Sequence, residues 1–349
     1  MNLTWFMANA ECQDPRIDSL KFDIWILKFG IKGIYFNFQH CGMGKNRMVL
    51  REEQPNLLRT GHAACAGCGL AVAMKLVLQA MGPRTISVIV PSCEGAIGGV
   101  YPNTAYGVST IHSAFEIAAP TAAGIANGLK IQGRTDIQVV AFAGDGGTFD
   151  IGLQSLSGAT KNNEDFIYVC LDNEAYMNTG IQVSSATPSY AWTGTTPEGN
   201  PRRKKNIMEI MAAHYNPYSA TATIGFPRDL QEKITKAKNI RGTKFIHMLV
   251  PCPTGWKTPS DLSPELSILA VETNVFPLYE VEDGTKYTIN RETRHLPVQE
   301  YLMKQGRYRH LREEQIRQIQ MDVDEEWEKL KQRAGHSRSR EWRYTQRGS

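Results

Sequence analysis

No apolar run in this sequence reaches the length of a membrane-spanning helix. The amino terminus, MNLTWFMANAECQD, lacks the basic start and apolar core of a signal peptide. These two absences make the cytoplasm the expected compartment, with no membrane partner. Charge of one sign is also scarce. The net charge is only +4, and the basic residues are not interleaved with aromatics, so nucleic-acid binding is not expected. There is no internal repeat. No GxGxxG follows a strand-like run, which argues against a Rossmann dinucleotide site. What is there is ordinary for a folded protein: 349 residues, 42% hydrophobic and 21% charged. That length can bury the core of one large α/β domain or two smaller ones.

Residues 1–47 read unlike the remainder. The stretch SLKFDIWILKFGIKGIYFNFQHC is aromatic and β-branched, without an amphipathic period. It reads either as an extension upstream of a native start at Met43 or Met48, or as an arm that packs on a partner subunit. From 61 to 250, apolar runs alternate with Ala-rich or amphipathic stretches. Helices are predicted over 69–81, 113–130, 151–160, 207–215 and 227–239. Buried strands are predicted over 86–90 (ISVIV), 137–143 (IQVVAFA), 166–171 (FIYVCL), 219–223 and 245–250 (FIHMLV). Apolar strands separated by helices predict an α/β domain, here 48–310, whose mostly parallel sheet has helices on both faces. Ligands of such sheets gather outside the carboxyl ends of the strands. Further on, 263–273 reads as a helix and LYEVEDG as a strand entering a turn. Residues 311–349 read as a charged helix (311–334) followed by an unstructured or partner-touching basic tail, GHSRSREWRYTQRGS.

Two of the predicted strands end in residues suited to a diphosphate. IQVVAFA runs into Gly144, Asp145, Gly146 and Gly147, and FIYVCL into Asp172, Asn173, Glu174 and Ala175. The interval between Asp145 and Asn173 holds one helix and one parallel strand, so both emerge at one sheet edge. A diphosphate is usually held through Mg²⁺, which requires a near-octahedral shell of hard oxygens. Asp145 offers a carboxylate, Asn173 an amide oxygen and Ala175 a backbone carbonyl. The glycines let the backbone approach phosphate, and the helix N-terminus that follows favours anions. GDG alone is usually a plain turn; its pairing with Asn173 after the next strand is the specific signal.

There are seven cysteines. Cys65 and Cys68 form a CxxC among small residues, a pattern shared by redox pairs, zinc sites and iron–sulfur sites. Cys93 (PSCEG) and Cys252 (PCPTGW) follow predicted strands, so all four thiols can reach the edge that carries Asp145. A [4Fe–4S] cluster needs such a set, and by count zinc fits it equally well. Cys170, inside FIYVCL, reads as a core thiol. Cys12 and Cys41 lie in the atypical segment and receive no role.

GHAACAGCG, PSCEG, GDGGTFDIG, LDNEAYMNTGIQ and PCPTGW, in this order, resemble the pyruvate:ferredoxin oxidoreductase family, and within it the separate β subunits of multi-subunit enzymes. The likeness runs from about residue 51 to about 311, including LAVETNVFPLYEVEDG and PVQEYLMKQGRYRHL. It implies the thiamine-diphosphate-binding fold with a helical C-terminal extension. It places the ligands of a [4Fe–4S] cluster on Cys65, Cys68, Cys93 and Cys252, and those of Mg²⁺ on Asp145, Asn173 and the Ala175 carbonyl. Some members have Thr in place of Asn173, and either supplies an oxygen. Its YxNTG element falls on 176–180. That implies cofactor contacts for Tyr176 and Thr179 and an orienting role near the reacting ring for Asn178, whose plainer reading is a turn former.

The implied chemistry is oxidation of a 2-oxoacid with coenzyme A as co-substrate, or the reverse. Electrons pass through iron–sulfur clusters to ferredoxin or flavodoxin. Partners implied are α and γ subunits and a ferredoxin-like δ subunit. The carboxylate that activates thiamine diphosphate belongs, in this family, to another subunit or domain, and no glutamate here takes that role. Pyruvate is the expected substrate, with branched-chain, aryl or dicarboxylic 2-oxoacids as alternatives. A non-oxidative thiamine decarboxylase would not need the cysteines, and a zinc-stabilised module would not need the GDG–Asn pair. His112 and His62 read more readily as capping or packing residues than as active-site groups. The basic run 202–205, at the end of the Pro/Gly-rich segment 184–206, fits coenzyme A phosphates, an acidic partner or a solvated turn.

Overall fold

Parallel strands that are apolar throughout need cover on both faces, and the chain supplies it in order. The computed structural model describes residues 56–345. The first half comprises α1 (Gly69–Met81), β1 (Thr85–Ile89), α2 (Cys93–Gly98), β2 (Ser109–His112), α3 (Ala118–Ile131), β3 (Gln138–Gly144), α4 (Leu153–Lys161) and β4 (Ile167–Asp172). After a long irregular segment come α5 (Ile207–Ala212), β5 (Tyr218–Thr223), α6 (Pro227–Lys238), β6 (Lys244–Leu249) and a single turn, α7 (Pro253–Trp256). The chain then runs through α8 (Ser263–Glu272), β7 (Tyr279–Glu282), β8 (Lys286–Ile289), α9 (Val298–Leu302) and α10 (Glu313–Thr345).

The sheet has eight strands in the order β2-β1-β3-β4-β6-β5-β7-β8. All pairings from β2 to β5 are parallel, and β7 and β8 are antiparallel. Alternate side chains of each strand feed different layers. Ile167, Val169 and Leu171 join Leu70, Met74, Val77 and Leu78 of α1 and Leu230 and Ile234 of α6. Tyr168 and Cys170 join Ala119 and Ala122 of α3, Leu156 of α4, Met208 and Met211 of α5 and Trp327 of α10. Cys170 is therefore the core thiol that its place in the strand implies. A third apolar cluster, around Trp256, Tyr301 and Tyr308, closes the carboxyl end of β6.

The mostly parallel sheet with helices on both faces matches the expected fold, and several local features differ from it. Residues 113–117 form a loop rather than the start of a helix, and α3 begins at Ala118. Strand β2 and helix α2 had no sequence signal: β2 is a short, largely exposed edge strand, and CEGAIG is too small and Gly-rich to show a period. LYEVEDG enters a hairpin with a three-residue loop, Asp283 to Thr285, in which Asp283 and Gly284 are both at positive φ. Helix α10 continues to Thr345, through most of the segment expected to be an unstructured tail. No helix among the described residues is long and apolar enough to cross a membrane. Residues 1–47, with Cys12 and Cys41, lie outside the described residues.

Candidate cofactor site

The carboxyl ends of β1, β3, β4 and β6 are neighbours, because those strands are adjacent and parallel. Gly144 ends β3 and Asp172 ends β4, so Asp145 and Asn173 are the first residues past the same edge. The Asn173 amide lies 2.8 Å from the Ala175 carbonyl oxygen and 3.1 Å from Asp145 Oδ1, and it turns its own oxygen toward both. Without a cation that arrangement is repulsive, and turning the amide over would let its NH₂ donate to both oxygens. With a cation it is a ligand set: oxygens about 2.1 Å from Mg²⁺ at right angles stand ~3.0 Å apart. The Asp145, Asn173 and Ala175 oxygens fit Mg²⁺ on that count.

Asp145 is 1% exposed and accepts from Ser184 Oγ at 2.5 Å. Burial, then the neighbouring Asp172, pushes its carboxyl well above the usual range. An ionised Asp145 is thus costly until a positive charge arrives. The glycines beside it are set by packing as well as by ligand access. A Cβ on Gly146 would run into the Tyr176 ring, and one on Gly147 would crowd Phe115 at 3.3 Å. One on Gly144 would make only ordinary contacts, leaving that backbone open.

The turn that carries Asn173 is held by buried charges. Glu174 adopts left-handed φ (70°), and its N–H donates to Asp172 Oδ1 at 2.9 Å. Lys204 Nζ bridges Asp172 Oδ2 (2.6 Å) and Glu174 Oε1 (2.9 Å). Arg307 takes the other Glu174 oxygen at 2.6 Å, and His247 Nε2 lies 2.7 Å from Asp172 Oδ2. Burial alone would raise Asp172, but Lys204 and His247 outweigh it and hold the carboxyl below its ordinary range. Burial pushes the His247 imidazole below its ordinary value, against the pull of Asp172.

Lys204 and Lys205 of the basic run are folded into the protein, while Arg202 and Arg203 stay exposed. Lys204 is in the network just described, Lys205 donates to the Phe149 carbonyl, and Arg203 pairs with Asp322 of α10 at 2.5 Å. Arg203 stays largely exposed despite its ion pair, and the exposed Arg202 side chain is in no described ion pair. These residues escaped sequence reasoning because a basic cluster in a polar loop looks solvated. The long loop was the available signal.

The 176–180 element is a reverse turn. Tyr176 and Gln182 form a bridge, and Thr179 Oγ1 donates to Gln182 Oε1 at 2.7 Å. Tyr176 is half-buried over Gly146, and its hydroxyl donates to Asp150 Oδ2 at 2.9 Å. Asn178 and Thr179 are exposed at the tip. His112 is exposed at the carboxyl end of β2, neither cap nor core. His62 is exposed too, and its Nδ1 accepts from the Ala64 N–H at 3.4 Å.

The cysteines sit where the loops dock. Cys68 caps α1, Cys93 opens α2 and Cys252 caps α7. Gly67, at φ +70°, lies so close to the Ser260 carbonyl that any Cβ would collide with it. Ser263 Oγ donates to the Gly67 carbonyl at 2.6 Å, and the Gly69 N–H to the Pro251 carbonyl at 3.1 Å. The CxxC loop is thereby fastened to the segment after β6. Burial pushes the Cys93 thiol up to about 12, aided by Glu94 and by the charges of Cys252, Cys68 and Cys65. Burial also raises Cys68 and Cys252. Among the described residues no three Cys, His, Asp or Glu side chains close on a point that would hold one metal ion.

Glu94 is the unforeseen member of this edge. It is fully buried, its Oε1 accepts the Gly144 N–H at 3.0 Å, and its Oε2 has no hydrogen-bond partner. Burial pushes it up to about 7. It ties the Cys93 turn to the start of the GDGG loop.

The thiamine pyrophosphate enzyme, C-terminal TPP binding domain family matches residues 96–248, the stretch that contains both the GDGG turn and the Asn173 turn. A pyruvate synthase subunit PorB from Methanothermobacter marburgensis is 48% identical over 289 residues, covering 81% of this chain and 100% of that protein. A ketoisovalerate oxidoreductase subunit VorB from Pyrococcus furiosus is 46% identical over 287 residues, 78% of this chain and 92% of that protein. Among solved structures, a 2-oxoglutarate:ferredoxin oxidoreductase from Magnetococcus marinus aligns with a TM-score of 0.49 and 26% identity, over 58% of this chain and 66% of that one. The chain belongs to the family of PorB and VorB subunits of 2-oxoacid:ferredoxin oxidoreductases.

Proposed function

We propose that this chain is the subunit that holds thiamine diphosphate, Mg²⁺ and one [4Fe–4S] cluster in a complex that oxidises pyruvate with coenzyme A to acetyl-CoA and CO₂, or runs the reverse. The observation that carries the reading is the meeting of three oxygens, from Asp145, Asn173 and Ala175, at the end of two parallel strands. Those oxygens hold Mg²⁺, and Ser184 fixes the rotamer of Asp145. The backbone of 144–147 faces the diphosphate. Thiamine diphosphate, when bound, supplies the electron sink that lets a 2-oxoacid lose CO₂. Asn178, at the exposed tip of its turn, is the residue we assign to orienting the reacting group.

Cys65, Cys68, Cys93 and Cys252 hold the cluster. Zinc needs four sulfurs about 2.3 Å from one ion, hence ~3.8 Å from each other. A cubane binds each sulfur to its own iron, and the family resemblance, not the count of thiols, favours it over zinc. Raised thiols release protons on coordination, so cluster loading is pH-dependent.

Glu94 is spent on Gly144 and enclosed, so we assign the activating carboxylate to a partner. The partners proposed are α, γ and ferredoxin-like δ subunits, with ferredoxin or flavodoxin as carrier and the cytoplasm as the compartment. Similarity to a VorB subunit of ketoisovalerate oxidoreductase supports a branched-chain 2-oxoacid as the second reading.

One preparation tests both. The complex, purified without oxygen, is expected to absorb broadly at about 400 nm and to bleach with dithionite. It should reduce viologen only with coenzyme A present, and faster with pyruvate than with branched-chain acids. A colourless zinc-loaded complex would remove the cluster; preference for a branched-chain acid would replace the substrate.

A further inference from the structure

One turn of helix stands between the cysteine site and the cation site. Helix α7 begins at its cap Cys252, whose Sγ accepts the Gly255 N–H at 3.4 Å. It ends at Trp256, whose backbone N–H returns to the Cys252 carbonyl at 2.8 Å. The indole of Trp256 is fully buried, and its Nε1 donates to the backbone carbonyl of Asn173 at 2.8 Å. The same peptide unit thus carries a cysteine at one end and a clamp on a proposed Mg²⁺ ligand at the other.

The turn has little freedom to move by itself. Gly255 lies against the Met177 sulfur, in the element that follows Ala175, so that a Cβ there would displace the Met177 side chain. Arg307 stacks over the Trp256 ring at 4.1 Å while its guanidinium bonds Glu174, the residue between Asn173 and Ala175. Tyr301 meets the other ring edge-on at 6.2 Å. A shift of Cys252 therefore reaches the Asn173–Ala175 turn through Trp256, Gly255 and Arg307 together.

We infer that Trp256 is a positioning residue that couples the two sites: filling the cysteine site fixes α7, and α7 fixes the turn that binds Mg²⁺ and diphosphate. The inference rests on the proposed assignment of those sites. Binding free energies are reciprocal, so cofactor must also favour retention of iron. Trp256→Phe keeps an aromatic ring for Arg307 but removes the donor and part of the buried indole, leaving the Asn173 carbonyl unpaired beside a small cavity.

The test is calorimetric titration of the thiamine-diphosphate-depleted complex, purified without oxygen, with thiamine diphosphate and Mg²⁺. Trp256→Phe is expected to weaken binding roughly tenfold, about 1.4 kcal/mol, at unchanged iron content. Iron-stripped wild type should bind as weakly, and the variant should lose nothing more when stripped. Equal affinity of wild type with and without iron overturns the coupling, and so do additive losses. Asp145→Asn separates this from the parent reading. Intact binding there sinks the cation site itself; abolished binding, with no effect of iron, sinks only the coupling.

If the variant does not assemble, amide exchange in the wild-type complex decides. Residues 173–176 should exchange more slowly with iron present, while the β7–β8 hairpin stays the same. Equal exchange at 173–176 overturns the inference.

Discussion

Asp145→Asn is expected to raise the dissociation constant of Mg²⁺-dependent thiamine diphosphate by at least ~100-fold, about 2.7 kcal/mol or more. Asn keeps the volume and can still accept from Ser184 Oγ, so the substitution removes charge and little else. Mg²⁺ binds few protein oxygens and depends on an anionic one. Stability should move the other way. Asp145 is raised by burial and by Asp172. Its folded state thus favours the protonated form, a contribution present below the ordinary aspartate range and lost as pH rises through the folded value. At neutral pH the metal-free wild type carries that cost and the variant does not. Metal-free Asp145→Asn should melt no lower than metal-free wild type in scanning calorimetry. Unchanged cofactor affinity defeats the site.

Lys204→Met is expected to lower unfolding stability by about 3 kcal/mol in urea titration, since breaking a buried ion network leaves uncompensated charge behind. Asp172 and Glu174 are 0% and 3% exposed at the side chain, and Lys204, 23% exposed, is the cation they share. Arg307 stays on Glu174, so the loss falls mainly on Asp172, whose carboxyl then rises and whose bond to His247 must serve alone. Lys204→Arg keeps the charge with a wider fork and should recover more than half of the loss. A Met variant as stable as wild type would show that the network is dispensable.

The sheet was legible because buried parallel strands are continuous apolar runs, and FIYVCL, IQVVAFA and FIHMLV are unambiguous. The GDG–Asn pairing was legible because strand ends converge in that topology. The network behind it was not. Lys204 and Arg307 are far from Asp172 in sequence, and each lies in a polar stretch that gives no sign of burial. Glu94 was hidden by its neighbours, since PSCEG reads as a loop. Edge strand β2 failed for a different reason: STIH is half polar because one side of it meets solvent. The reach of α10 to Thr345 was missed because a basic, Ser- and Gly-containing segment has weak intrinsic helix preference.

The fastening of Gly67 to Ser260 and Ser263 has a consequence for how the protein comes to exist. Cys65 and Cys68 leave the ribosome early, but the surface that holds their loop is made only after β6 has paired with β4. Until then the CxxC loop lacks the surface that fastens it. Contacts of such sequence separation close late and slowly. On the proposed assignment of the four cysteines, a cluster site is complete only once β6 has joined the sheet.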